Sequence, residues 1–112
     1  MASKRIILEM GAGNDLHGGD YTKAAVRAVQ DALHHSSLTF IRSLNVDKSK
    51  IDVVATIGVQ QPEAIDKAEI AKQFPVGNVT VEPVKGGLDV PDEEIGDVAV
   101  IASAAIAVWL RD

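Results

Sequence analysis

Alternation dominates the start of the chain. Ile6, Leu8 and Met10 fall on one side of an extended backbone and Arg5, Ile7 and Glu9 on the other, so Lys4 to Met10 predicts a first strand. From Asp20 the period changes to that of a helix. Tyr21, Ala25, Ala28, Val29, Ala32, Ser36 and Phe40 form one stripe, with Asp20 as the N-cap of a helix running to about Leu44. Leu38 and Ile41 make its last turns apolar on the opposite side too, which implies a contact beyond one sheet face. Asn45 to Lys50 is a polar connection, and the β-branched run Ile51 to Val59 predicts a second strand. Pro62 suits the first turn of a short helix that Pro75 ends near Phe74. Asn78 to Val84 alternates as a third strand, where Pro83 favours an edge or terminal position. Lys85 to Gly96, with Gly86, Gly87, Pro91 and four acidic residues, is expected to be a loop. Val98 to Leu110 is apolar on both faces and predicts a central strand covered on both sides.

The order β-α-β-α-β-β gives an α+β fold in one domain, residues 1–112, with a mixed sheet of about four strands and two helices on one face. One helix layer leaves the other sheet face open. The doubly apolar last strand needs a second cover, and another copy of the chain supplies it, so a closed homo-oligomer is expected. A chain of 112 residues holds no deep pocket easily, which puts any sizeable pocket between subunits. No internal repeat, low-complexity tract or linker interrupts the pattern.

Charge and composition narrow the partners. A net charge of -5 without a cluster of Lys and Arg beyond Lys48 and Lys50 argues against nucleic acid. The apolar runs at both ends are too short for a signal peptide or a membrane span, so no membrane partner is expected and a cytoplasmic location is. With no cysteine, thiolate chemistry, disulfides and Cys-based zinc sites are excluded.

Candidate chemistry concentrates in Gly11-Ala12-Gly13-Asn14-Asp15-Leu16-His17-Gly18, expected as the turn after the first strand. Asp15 and His17, two apart, would share one side of an extended turn. A third ligand from the helix, His35, would complete a site for a divalent metal such as zinc with an open position for water or substrate. Such an ion polarises a carbonyl or activates water, with Glu9 as a proton carrier and Lys23 closing the cleft. Without a metal, Asp15 and His17 are acid–base candidates. A second arrangement uses Gly11, Gly13, Gly18 and Gly19 to bring backbone N–H groups onto an anionic ligand beside Asp20, Thr22 and Lys23. In a third, Asp15 only accepts hydrogen bonds from the turn and His17 packs on the helix. Lys23, Arg27 and Asp31 also read as paired surface charges, and Gly86 and Gly87 as the flexible base of an acidic flap.

The octapeptide G-x-G-x-D-x-H-G, followed by Asp20-Tyr21-Thr22-Lys23, Ala32-Leu33-His34-His35 and Gly86-Gly87-Leu88-Asp89-Val90-Pro91, resembles the Lin-type family of conserved hypothetical proteins over nearly the whole chain. That resemblance implies no particular activity. The element order resembles the chorismate-mutase-like fold, which implies a homotrimer with ligands between subunits. Asp20-Tyr21-Thr22-Lys23 is similar to a segment of the ring-opening amidohydrolases, whose serine motif has no counterpart here. Asp15-Leu16-His17 is similar to the zinc-binding D-x-H of the cyclodiphosphate synthase of isoprenoid synthesis. Together these point to an enzyme of a small polar metabolite with its site at the Gly/Asp/His segment, or to a noncatalytic metabolite-binding or structural homo-oligomer on the same scaffold.

Overall fold

The computed structural model describes residues 3–34, 47–75 and 77–112. Strand β1 runs Ser3–Asp15, helix α1 Tyr21–His34, β2 Ile51–Val59, helix α2 Lys67–Ala71, β3 Asn78–Lys85, β4 Leu88–Asp92 and β5 Asp97–Arg111. The fold is α+β, with both helices on one face of a mixed sheet ordered β1-β5-β2-β3. Among the strand pairs of the described residues, only β2 and β3 run parallel. The sheet has five strands rather than four, because residues 88–92 pair with β5 at Val90↔Ala99 and Leu88↔Ile101. Acidic composition and Pro91 hide this strand. Its period-2 alternation of Leu88 and Val90 against Asp89 and Pro91 is short, and it becomes a strand because Gly86 and Gly87 carry the chain, without reversing it, from the far side of β2 to the flank of β5.

Strand β5 is central, as its apolar run predicts. It pairs with β1 along one flank and, along the other, with β2 and β4 placed end to end. Val100, Ala102, Ile106 and Val108 point into the helix layer and are fully or almost fully buried. Among the described residues nothing covers the opposite face: Ile101, Ser103, Leu8 and Met10 lie there exposed.

The first strand is longer than its apolar alternation suggests, and this changes the meaning of the glycine motif. Gly11 and Gly13 lie inside β1, opposite Ala104 and Ala102, not in a turn. A Cβ at Gly11 would stand 2.5 Å from the Ala28 carbonyl oxygen, and one at Gly13 2.3 Å from the Ala28 nitrogen. Ala24, Ala25, Ala28, Val29 and Ala32 supply the buried stripe of α1. Small residues on both sides therefore let the helix backbone rest directly on the strand.

Helix α1 also closes the outer edge of β1. The Ala12 N–H donates to Asp31 Oδ2 at 3.0 Å, and Arg27 Nη1 donates to the Asn14 carbonyl at 2.7 Å. At the other sheet edge, β3 contains Pro83. Both edges thus carry a device against strand addition.

The described part of α1 ends at His34; Ser36, Leu38, Phe40, Ile41 and His35 lie outside the described residues. The second helical segment is split, where one continuous helix was expected. Pro62–Ala64 is a 3-10 turn, Ile65 is extended, and Asp66 starts α2 by accepting from the N–H groups of Ala68 and Glu69. No helix among the described residues is long and apolar enough to cross a membrane.

Candidate functional site

The charged and polar side chains of the motif gather where β1 ends, β5 begins and α1 starts. Asp15, last residue of β1, faces the helix layer and is 4% exposed. Its Oδ2 accepts from the Asp20 N–H at 3.0 Å, and its Oδ1 lies 3.6 Å from Arg27 Nη1 and 3.9 Å from Lys23 Nζ. Lys23 and Arg27 are therefore drawn to one buried carboxylate instead of pairing with Asp31. Asp20 caps α1 as expected: its Oδ1 accepts from the Lys23 N–H and its carbonyl from Ala24.

His17 has a different partner. Its Nδ1 lies 3.2 Å from Asp97 Oδ2, while Asp97 Oδ1 accepts from the N–H groups of Gly18 and Val98. Those two backbone N–H donors, with the imidazole, hold the Asp97 carboxyl below its usual range. The His17 side chain is 80% exposed, so with Nδ1 on Asp97 the Nε2 is free to meet solvent or a ligand.

A depressed carboxyl has a sign that can be checked. Asp97 binds protons less readily when folded, so it favours the folded state above its ordinary value of 3.8 and that contribution disappears as pH falls through the lower, folded value. Asp97→Asn is expected to flatten the loss of thermal stability on acidification below about pH 4. Parallel melting curves of the two proteins from pH 6 to pH 2.5 would contradict the assigned contacts.

Beside this pair, the Tyr21 hydroxyl donates to Asp89 Oδ2, and that bond, with burial, raises the phenol above its usual range. The second oxygen of Asp89 is buried without a hydrogen-bond partner. Thr22 Oγ1 accepts from the Asp66 N–H and so ties α1 to α2 rather than facing a ligand.

The structure brings together Asp15, Lys23, Asp20 and Gly18 with His17 at one end of the sheet, and it separates others. Glu9 lies on the same side of β1 as Asp15 but roughly 20 Å up the strand, at about 3.4 Å per residue, because the strand continues past Met10. It is not part of this cluster. Gly11 and Gly13 lie inside β1 with the α1 backbone packed where a Cβ would stand. Asp15 and His17 turn to separate partners, and no group of three or more His, Asp or Glu residues spaced for a metal occurs among the described residues. His35 lies outside the described residues. The residues that sequence reasoning missed are Asp97 and Asp89. Asp97 had a usable signal, standing after Gly96 at the head of the longest apolar run. Asp89 was obscured by the acidic stretch around it.

Known proteins resemble this chain in two comparisons. The model of a family described as "Conserved hypothetical protein (Lin0512_fam)" matches residues 5–108. A crystal structure described as an FtsZ-like protein of unknown function from Nostoc punctiforme is 32% identical, covers 100% of this chain and 99% of its own, and superposes with a TM-score of 0.77. No curated protein matches.

Proposed function

The chain belongs to the Lin0512 family of conserved hypothetical proteins, and from that premise and the geometry at the end of β1 we propose an enzyme that moves a proton on a small polar metabolite, working as a homo-oligomer. The observation that carries this reading is the pairing of His17 Nδ1 with Asp97 Oδ2, whose other oxygen is anchored by two backbone N–H groups. A carboxylate on one ring nitrogen sets the tautomer and presents the other nitrogen as a proton acceptor. Asp97 is a positioning residue and His17 the group that meets substrate. Lys23, 55% exposed, supplies a cation for an anionic or carbonyl-bearing substrate, and Asp15 holds it from below. Tyr21 offers a phenol beside the same helix start.

A panel of small polar metabolites, scored by the shift each causes in melting temperature and then assayed for turnover, tests this. His17→Ala is expected to lower turnover of the substrate found about 100-fold, at the low end for acid–base groups, with a melting temperature close to the parent's. Asp97→Asn is expected to lower it less and to alter its pH profile. Equal turnover by parent and His17→Ala overturns the assignment. A noncatalytic binding or structural oligomer is favoured by one observation, the use of Gly11 and Gly13 in packing. Ligands that bind without being converted, equally well to His17→Ala, would establish it. Elemental analysis of protein purified without a tag addresses zinc at the same site: about one ion per chain, lost in His17→Ala, makes the imidazole a ligand.

A further inference from the structure

The face of the sheet away from the helices is apolar at its centre and polar at its rim. Leu8, Met10, Val90 and Ile101 are exposed there by 48%, 69%, 47% and 36%, around the small residues Ala105 and Ala107. Thr56 and Ser103 are the polar side chains near its middle, both uncharged, while Arg5, Asp52, Glu82 and Asp92 lie toward its margins. At about 4.8 Å per strand and 3.4 Å per residue, the face measures roughly 700 Å², close to the roughly 800 Å² that each partner contributes to a standard interface. The outer edge of β1 carries contacts to Arg27 and Asp31 and β3 carries Pro83, which disfavours strand addition at those edges.

The face is also self-complementary in shape. A depression of about 190 Å³ lies in it, over Thr56, Gly58, Gly86, Gly87 and Ala105, lined also by Met10 and Lys85 of the same chain. It exists because Gly58 and Gly86 pass within contact distance of each other, with no side chain between. The register fixes what a second copy would bring to it. Met10 and Thr56 both lie opposite Ala105, on either flank of β5, and Arg5 and Asp52 both lie opposite Trp109. A two-fold axis along β5 exchanges the flanks. It places Met10, the most exposed of these side chains, over the partner's glycine-floored depression, and Arg5 over the partner's Asp52, which within its own chain already pairs with Arg111 at 2.8 Å and accepts from Asn78.

We infer that this face is covered by a second copy of the same chain, in a two-fold sheet-to-sheet dimer with Met10 seated in the depression at Thr56 and Gly58 and Arg5 beside Asp52. The inference takes from the proposed function only its self-association, and it stands or falls independently of any chemistry at His17. It names a dimer, not the trimer implied by the resemblance to the chorismate-mutase-like fold. Apolar burial across such a face provides the driving force, and the rim charges select the register.

Light scattering on the eluting full chain is the test. The parent is expected at twice the mass of one chain and Met10→Glu at the mass of one, with an unchanged far-ultraviolet spectrum, since Met10 is exposed in the single chain. Lys67→Glu, on the helix layer, is expected to remain a dimer. A monomeric parent, a trimer, or a dimer indifferent to Met10→Glu and to Arg5→Glu overturns the proposal. If Met10→Glu does not fold, the absence of native cysteine allows a milder probe. Met10→Cys should react with a maleimide at least tenfold more slowly than Lys67→Cys, and equal rates would show an uncovered face. Activity assays of His17→Ala report separately on the proton-transfer reading.

Discussion

Gly13→Val is expected to lower the stability of the fold by about 3 kcal/mol or more, the upper part of the range for overpacked interiors. The atoms that a side chain would meet at Gly13 are backbone: the Ala28 nitrogen at 2.3 Å, the Ala24 carbonyl oxygen at 2.5 Å and the Arg27 carbonyl carbon at 2.6 Å. Backbone in mid-helix cannot swing aside as a long side chain can, so α1 must lift as a body from β1. Lifting it also draws Lys23 and Arg27 from Asp15 and removes the donor on Asn14. For a domain of about this size the melting temperature should drop by roughly 12 °C or more, at roughly 4 °C per kcal/mol. Gly13→Ala should fall between parent and Gly13→Val. If the glycine instead served to admit a ligand, Gly13→Ala would melt like the parent and lose only binding, and a thermal scan with the metabolite panel separates the two.

The second large effect belongs to Gly87→Ala, at about 3 kcal/mol. Gly87 has φ of +63, and its Cβ would lie 2.0 Å from the Ile101 carbonyl oxygen and 2.9 Å from that of Gly58. Gly96 is a matched control, with φ of +64 and nothing within 4 Å. Left-handed strain alone costs an alanine about 1 kcal/mol, which is the loss expected for Gly96→Ala. The difference between the two variants isolates the crowding where the chain passes from β3 to β4. Gln60 fastens that crossing by donating to the carbonyls of Gly86 and Gly87. A hinge at this place, as the glycine pair first suggests, would tolerate alanine at either position equally. Equal denaturation midpoints for Gly87→Ala and Gly96→Ala would therefore restore the flap.

Much of the architecture was legible because long apolar patterns report burial directly. The run from Val98 to Leu110 marked a central strand and the run from Ile51 to Val59 matched β2 in both bounds, since each alternates or is uniformly apolar over many residues. Pro83 correctly marked an edge. The failures share a cause. Gly11 and Gly13 look like a turn when read locally, and only the helix lying across them shows that they are packing surface. Residues 88–92 look like an acidic loop because pairing, not composition, makes them a strand. The candidate site was half legible for the same reason. Asp15, His17 and Lys23 sit close in sequence, but strand pairing brings Asp97 to His17 and Asp89 to Tyr21, and a motif confined to one segment holds no record of partners 80 and 68 positions away.

The position of β5 between its neighbours bears on how the chain acquires its shape. Strands β1 and β4 pair with β5, and β2 divides its pairing between β5 and β3, yet all three precede β5 in the chain. During synthesis β1 and β4 leave the ribosome before the strand that pairs with them, although α1 is available to pack on β1 and β3 to pair with β2. Closure must then gather segments far apart in sequence, a topology that makes folding slow.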